Sequence, residues 1–306
     1  MKFKIALLIA QALFLFCYQI FSYANESAMI QTNAPDKKYT NELFLHHTLT
    51  KEFPSKINGI KYNLYISLPK GYSSNNKSYP IIYLLDADYS FALAKQISEH
   101  LSDRNRISDS IIVGIAYANP NEYKKNRTRD YTPSYVSSGG YGSEYQKYSG
   151  GAESFYRFIH SELIPYLHQE YRANKNATFV GHSYGGLFGV YLLVHHPEVF
   201  NHYIIVSPSL WYNNHLVLKA AQRKRDFNLL QKTRACFIIG DQENKGDYHM
   251  IDDLKLLNET IMRKPHRNLS TVFNILNDMD HDTVFPGALS QGLLKSSFDS
   301  DKRVKG

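Results

Sequence analysis

Gly181-His182-Ser183-Tyr184-Gly185 fits the pattern G-x-S-x-G where a strand-like run, Ala177-Thr178-Phe179-Val180, meets a run of helical spacing through Leu187, Val190, Tyr191 and Leu193. His195-His196-Pro197 ends that second run. A glycine-flanked serine between strand and helix is a nucleophile elbow, a strained turn that lifts the hydroxyl into solvent. Glycine is expected on both sides because a side chain would crowd the adjoining strand or helix. Gly186 extends the small-residue run. The alternative reading is a Gly-rich turn without chemistry, and the chain farther on decides between them.

A serine alone is a weak nucleophile at neutral pH and needs a base and an orienting acid. Behind an elbow these follow in the order Ser, then Asp or Glu, then His. Ala235-Cys236-Phe237-Ile238-Ile239 reads as a buried strand ending at Gly240, with Asp241-Gln242-Glu243 at its carboxyl end, where open parallel sheets gather functional groups. We choose Glu243 as the acid over Asp241 or Asp247. Thr271 to Leu276 reads as the last strand, and the loop Asn277-Asp278-Met279-Asp280-His281-Asp282 supplies His281 as the base. The order of the three residues favours an α/β class chain with an α/β-hydrolase fold, a mostly parallel central sheet with helices on both faces.

From about residue 40 onward the chain resembles the esterase-D-like branch of the α/β-hydrolases. The resemblance runs through Tyr83-Leu84-Leu85-Asp86, Ile112-Val113-Gly114-Ile115, Arg129-Asp130-Tyr131-Thr132-Pro133 and Glu162-Leu163-Ile164-Pro165. It continues through Gly181 to Gly186, Ser207-Pro208-Ser209-Leu210-Trp211 and Gly240-Asp241-Gln242-Glu243, and closes at His281. Within that branch the chain is most similar to bacterial esterases that open trilactone siderophores, although carbohydrate-ester, thioester and mycolyl-transfer members share the skeleton. The resemblance implies a serine esterase working through an acyl-enzyme, with an enterobactin-like catecholate trilactone as substrate. A carbohydrate acetyl or feruloyl esterase and an acyltransferase are the alternatives, and a non-catalytic ferric-siderophore binder is a reading from another class. By resemblance to the mycolyltransferases, the backbone N–H of Asp88 is one oxyanion donor and that of Tyr184 the other. The chain departs from similar proteins at Ala87, where they carry glycine. Some siderophore esterases resemble Ser-His dyads, so a dyad stays open beside Glu243. No cofactor is implied, and any metal is expected inside the substrate as chelated iron.

Lys2 and Lys4 precede an apolar run from Ile5 to Cys17, and Ser22-Tyr23-Ala24 offers a cleavage site, so residues 1–24 read as a signal peptide for a periplasmic or secreted protein. An uncleaved anchor is the alternative, but the run, broken by Gln11, is short for a span of about 20 residues. Residues 25–306 are then expected to form one esterase domain with no stable membrane span. Cleavage leaves Cys236 as the only cysteine and excludes an internal disulfide.

Removing the two leader lysines lowers the formal charge from +7 to +5, a weak bias toward anionic ligands such as a ferric siderophore. Arg223-Lys224-Arg225 is too short a basic run for a nucleic-acid arm. The adjacent pairs His46-His47 and His195-His196 point apart on a strand or fan out on a helix, so no metal site is expected.

Leu43 to Leu49 and Ile60 to Leu68 alternate like antiparallel edge strands, while Pro80 to Leu85 and Ser110 to Ile115 are continuous apolar runs suited to buried parallel strands. Phe91 to Leu101 and Ser154 to Tyr171 have helical spacing, the second with a kink expected at Pro165. Asn119 to Gly151, rich in Asn, Tyr, Ser and Gly, reads as a long loop, and the resemblance to similar esterases implies that it borders the cleft. Arg129 is the candidate to hold an anionic or carbonyl-rich substrate through its forked donors, unless it pairs with Asp130 or Glu122. Trp211 is either an aromatic wall for flat acyl groups or a packing residue. Tyr131, Tyr135, Tyr141, Tyr145 and Tyr148 suit stacking on catechol or sugar rings, or packing of the loop.

Overall fold

The computed structural model describes residues 45–246 and 248–296. Residues 1–24, read from the sequence as a leader, and Asp247 lie outside them. Sheet, core and cleft all belong to the unit that begins at His46.

An eight-stranded sheet has the order β1-β2-β4-β3-β5-β6-β7-β10. Its strands are β1 (Thr48–Pro54), β2 (Lys61–Ser67), β3 (Tyr79–Leu84), β4 (Ile111–Tyr117), β5 (Ala173–His182), β6 (His202–Val206), β7 (Thr233–Gly240) and β10 (Leu269–Leu276). β1 and β2 pair antiparallel with each other, as do β2 and β4, and every other pairing is parallel. The apolar runs of β4, β6 and β7 are buried at nearly every residue, as parallel strands covered on both faces require. β2 alternates and β1 is largely exposed, as befits an edge. The strand expected over Leu43 to Leu49 begins outside the described residues, and within them β1 runs over Thr48–Pro54, its pairing with β2 setting Phe53 opposite Tyr62 and Thr48 opposite Ser67. Cys236 is free and buried on β7, where burial pushes its thiol up to about 12.

The helices are α1 (Ala87–Ser102), α2 (Tyr123–Tyr131), α3 (Ser143–Gln146), α4 (Ala152–Phe158), α5 (Ile164–Glu170), α6 (Tyr184–His195), α7 (Tyr212–Arg223), α8 (Met250–Met262) and α9 (Val284–Ser296). α1 packs with α9, while α2, α6, α7 and α8 pack in series, and both groups lie against the sheet. The result is an α/β-hydrolase fold. Ahead of Pro165, where a kink is expected, the helix carries a π-helical turn, Ile159–Leu163, between α4 and α5. The amide of Ile164 bonds the carbonyl of Ile159 five residues back. A wider turn is one way a helix accommodates a proline that lacks its own N–H. Among the described residues no helix is long and apolar enough to cross a membrane.

The stretch 119–151 departs from expectation. It carries α2 and α3 and buries Asn126, Arg127, Thr128, Asp130, Tyr131, Thr132 and Gln146. Polar residues can be core here because most meet a partner, the Thr128 hydroxyl being an exception. Arg127 bonds Asp86, Tyr62 donates to Asp130 at 3.0 Å, and Gln146 donates to the Tyr184 hydroxyl at 3.0 Å.

Candidate active site

Strand order reverses around β3, which has β4 on one side and β5 on the other, and open α/β sheets place their sites at such a point, beyond the strand carboxyl ends. Ser183 follows β5 there, with φ 60° and ψ −118°, a strained conformation for a residue with a side chain. The tight approach is at Gly181, where a Cβ would stand 2.4 Å from the Gly185 carbonyl oxygen, and at Gly186, where it would meet the Val206 carbonyl oxygen at 2.8 Å. Gly185 itself would make only ordinary contacts, the nearest at 3.5 Å, so its glycine is less constrained than the pattern suggests.

The parallel register of β7 and β10 sets Gly240 opposite Leu276 and brings the two following loops together. The Asp241 amide donates to the Leu276 carbonyl at 2.9 Å and the Gln242 amide to the Met279 carbonyl at 3.0 Å. Asp241 closes the junction by accepting from the Met279 amide at 3.2 Å, so its carboxylate fastens a loop. Glu243 is the carboxylate that reaches the imidazole. His281 Nδ1 donates to Glu243 Oε2 at 2.8 Å, with the Glu243 side chain 1% and the His281 side chain 36% exposed.

Ser183, His281 and Glu243 line one cleft of about 490 Å³ together with Tyr184 and Trp211. Ser183 Oγ lies 3.4 Å from Ser209 Oγ. Tyr184 opens α6, and the first amides of a helix have no intrahelical acceptor, so its N–H is available to an anion. Trp211 sits 6.0 Å from the ring of Tyr184 and 4.9 Å from that of Tyr248. Tyr248 and Lys245 belong to a short hairpin, β8 (Asn244–Lys245) and β9 (Tyr248–His249), that walls the cleft.

Two expected site residues stand outside the cleft wall. Asp88 lies in the first turn of α1 with its carboxyl toward the Tyr65 hydroxyl, 3.5 Å away, and burial followed by the charge of Asp86 raises its pKa. Arg129 directs Nε and Nη2 to the two oxygens of Asp130 at 2.7 and 2.9 Å, and Nη1 to Asn126 at 2.6 Å. Its fork is occupied structurally, and Arg127 is the arginine that reaches the cleft. Of the loop tyrosines Tyr141 lines the cleft, Tyr131 is fully buried and Tyr135 is exposed.

Sequence reasoning missed Ser207, Ser209, Arg127, Lys245, Tyr248, Asp280 and Asp282. Ser207 and Ser209 fall within a quoted motif, and the only signal for their role was the position of that motif after a strand. His182 was passed over as the variable residue of the elbow. Its ring packs 4.7 Å from that of His281, and burial, then the charges of His281 and Arg127, hold it well below the ordinary histidine pKa. It therefore packs against His281 as a neutral ring. Asp280 is held below its usual range by the Thr283 hydroxyl and amide. Among the described residues no group of His, Cys, Asp and Glu is arranged to hold a metal ion.

The chain is similar to the ferri-bacillibactin esterase BesA of Bacillus subtilis, 28% identical over 264 residues that cover 83% of this chain and 91% of that protein. It is 24% identical to the apo-salmochelin esterase of Escherichia coli over 282 residues, 90% of this chain and 85% of the relative. A crystal structure of the BES protein from Bacillus cereus superposes with a TM-score of 0.73 at 28% identity, over 87% of this chain and all of that one. Residues 55–287, which hold the elbow, Glu243 and His281 alike, match the family described as "Putative esterase", and to that family this chain belongs.

Proposed function

We propose that the protein is a serine esterase that opens the trilactone of a catecholate siderophore by two-step acyl transfer. The observation that carries the chemistry is the His281–Glu243 hydrogen bond at 2.8 Å in the cleft that also holds Ser183 on its strained elbow. Ser183 Oγ turns from Ser209 toward His281, gives its proton to Nε2 and attacks the ester carbonyl. The Tyr184 N–H meets the oxyanion, and Glu243 holds the imidazole by Nδ1 and offsets the charge it gains. His281 then protonates the departing alkoxide, and a water molecule, activated in the same way, releases the acid and restores Ser183.

The substrate class is supported by relatives named for siderophore esters and by a cleft walled with Tyr141, Tyr184, Trp211 and Tyr248, flat faces suited to aromatic acyl groups. Export through the leader at 1–24 would place the reaction in the periplasm or outside the cell.

The test is chromatography of iron-free and ferric enterobactin after incubation with the protein or Ser183→Ala, beside a short-chain generic ester. Trilactone cleavage that is lost in Ser183→Ala and exceeds cleavage of the generic ester is the expected result. Hydrolysis of the generic ester alone would overturn the substrate and turn the search to glycan esters and acyl transfer. Hydrolysis unaffected by Ser183→Ala would overturn the mechanism.

A further inference from the structure

Glu243 divides its two oxygens. Oε2 accepts from His281, while Oε1 accepts from the Ser207 hydroxyl at 2.6 Å and the Gly240 amide at 2.8 Å. Ser207 is fully buried and has φ 45°, a region that a residue with a Cβ rarely enters. It is placed there from a third strand: its amide bonds the Ile238 carbonyl at 2.9 Å just beyond β6, next to β7. Two residues on, the Ser209 amide donates to the Ser183 carbonyl at 3.2 Å, and a Cβ on Gly186 would come within 3.0 Å of Pro208 Cα. Ser207-Pro208-Ser209 therefore reaches from the acid to the nucleophile and is pressed against the helix that carries the elbow.

We infer that Ser207 is a positioning residue of the acid–base pair, acting through Glu243; the inference rests on the serine-esterase reading above. A glutamate has one more side-chain torsion than an aspartate, and its carboxylate can rotate away from an imidazole. Two donors on Oε1 fix the carboxylate plane, so that Oε2 faces Nδ1 and the base stays in the tautomer that leaves Nε2 free for the serine proton. Ser207 touches neither substrate nor base.

A double-mutant cycle of Ser207→Ala with Glu243→Gln separates positioning from support of the fold. Ser207→Ala is expected to lower kcat about tenfold with KM within twofold, as for a charge-assisted hydrogen bond expressed mainly in the transition state. In the Glu243→Gln background the same substitution should cost under about twofold, because the path runs through the carboxylate. The downfield proton resonance of the His281–Glu243 bond should move or vanish in Ser207→Ala. Equal losses in both backgrounds, or an unmoved resonance with full kcat and a lower Tm, would overturn the inference and leave Ser207 as packing. Should Ser207→Ala not fold, Ser207→Cys, close in size and a weaker donor, gives the same readout. Full activity in Ser183→Ala would instead defeat the esterase mechanism itself, an outcome distinct from either.

Discussion

Asp86 receives two hydrogen bonds from Arg127, from Nε to Oδ1 at 2.8 Å and from Nη2 to Oδ2 at 3.1 Å, in a pair whose side chains are 4% and 1% exposed. The same guanidinium donates to the His182 carbonyl at 3.0 Å and the Tyr141 hydroxyl at 2.8 Å. One side chain thus joins the end of β3, the elbow and a wall of the cleft. Removing one member of a buried pair leaves the other charged and unpaired, at about 3–5 kcal/mol. Arg127→Met should lower Tm by roughly 10 °C, by the usual scaling for chains of this size. Adding Asp86→Leu should recover part of that loss. Thermal unfolding of the two variants checks both.

Arg129 should matter to stability and not to substrate affinity. Arg129→Gln leaves Asp130 buried beside Tyr62 without its cation, and KM is expected to stay within about twofold while Tm falls. A raised KM at unchanged Tm would return Arg129 to the cleft.

His202 predicts a loss of stability on the acid side. Burial, then the charge of Arg234, lowers its pKa from 6.5 to about 4. The unfolded chain takes up this proton near 6.5 and the folded chain only near 4, so the contribution is complete above pH 6.5 and is lost as pH falls toward 4. Its full size is at most about 3 kcal/mol. His202→Gln should flatten the dependence of unfolding free energy on pH between these limits, as read by denaturant titration.

The charge of the cleft differs from that of the chain. Arg127 is bound to Asp86, Lys245 lies near Asp280, and Asp282 is exposed beside His281. The net +7 of the sequence is therefore not concentrated where a polyanion would dock. At low salt iron-free trilactone should be turned over faster than its ferric complex, the gap should narrow as salt screens repulsion, and Asp282→Asn should narrow it further. Steady-state rates on both forms at two ionic strengths decide this. A ferric preference that weakens with salt would mean that Lys245 dominates the approach.

The elbow was legible because its geometry is local: glycines, serine and the change from strand to helix occupy a few consecutive residues. Glu243 and His281 could be read because a parallel sheet collects strand ends on one side, so chain order stands in for space. Arg127 and Arg129 could not be told apart in a segment read as loop. On the helix that the segment forms, residues two apart point to nearly opposite faces, and only one of the two faces the cleft. Asp88 was carried over by resemblance for its backbone N–H, which lies in the first turn of α1, while its carboxyl faces Tyr65 of β2. Ser207 was hidden for another reason. Its partner is 36 residues away, and no periodicity encodes a left-handed residue after a strand.

The backbone of Ser183 has one more consequence. Its conformation costs of order 1–3 kcal/mol that a glycine would not incur, so Ser183→Gly should yield a protein that is inert and harder to unfold. Reactivity and durability are opposed at that single position. With Ser183 as the nucleophile we propose, a lineage that ceased to need the hydrolysis could gain robustness by one substitution, and keeping the serine would be a continuing cost borne only while the reaction is under selection.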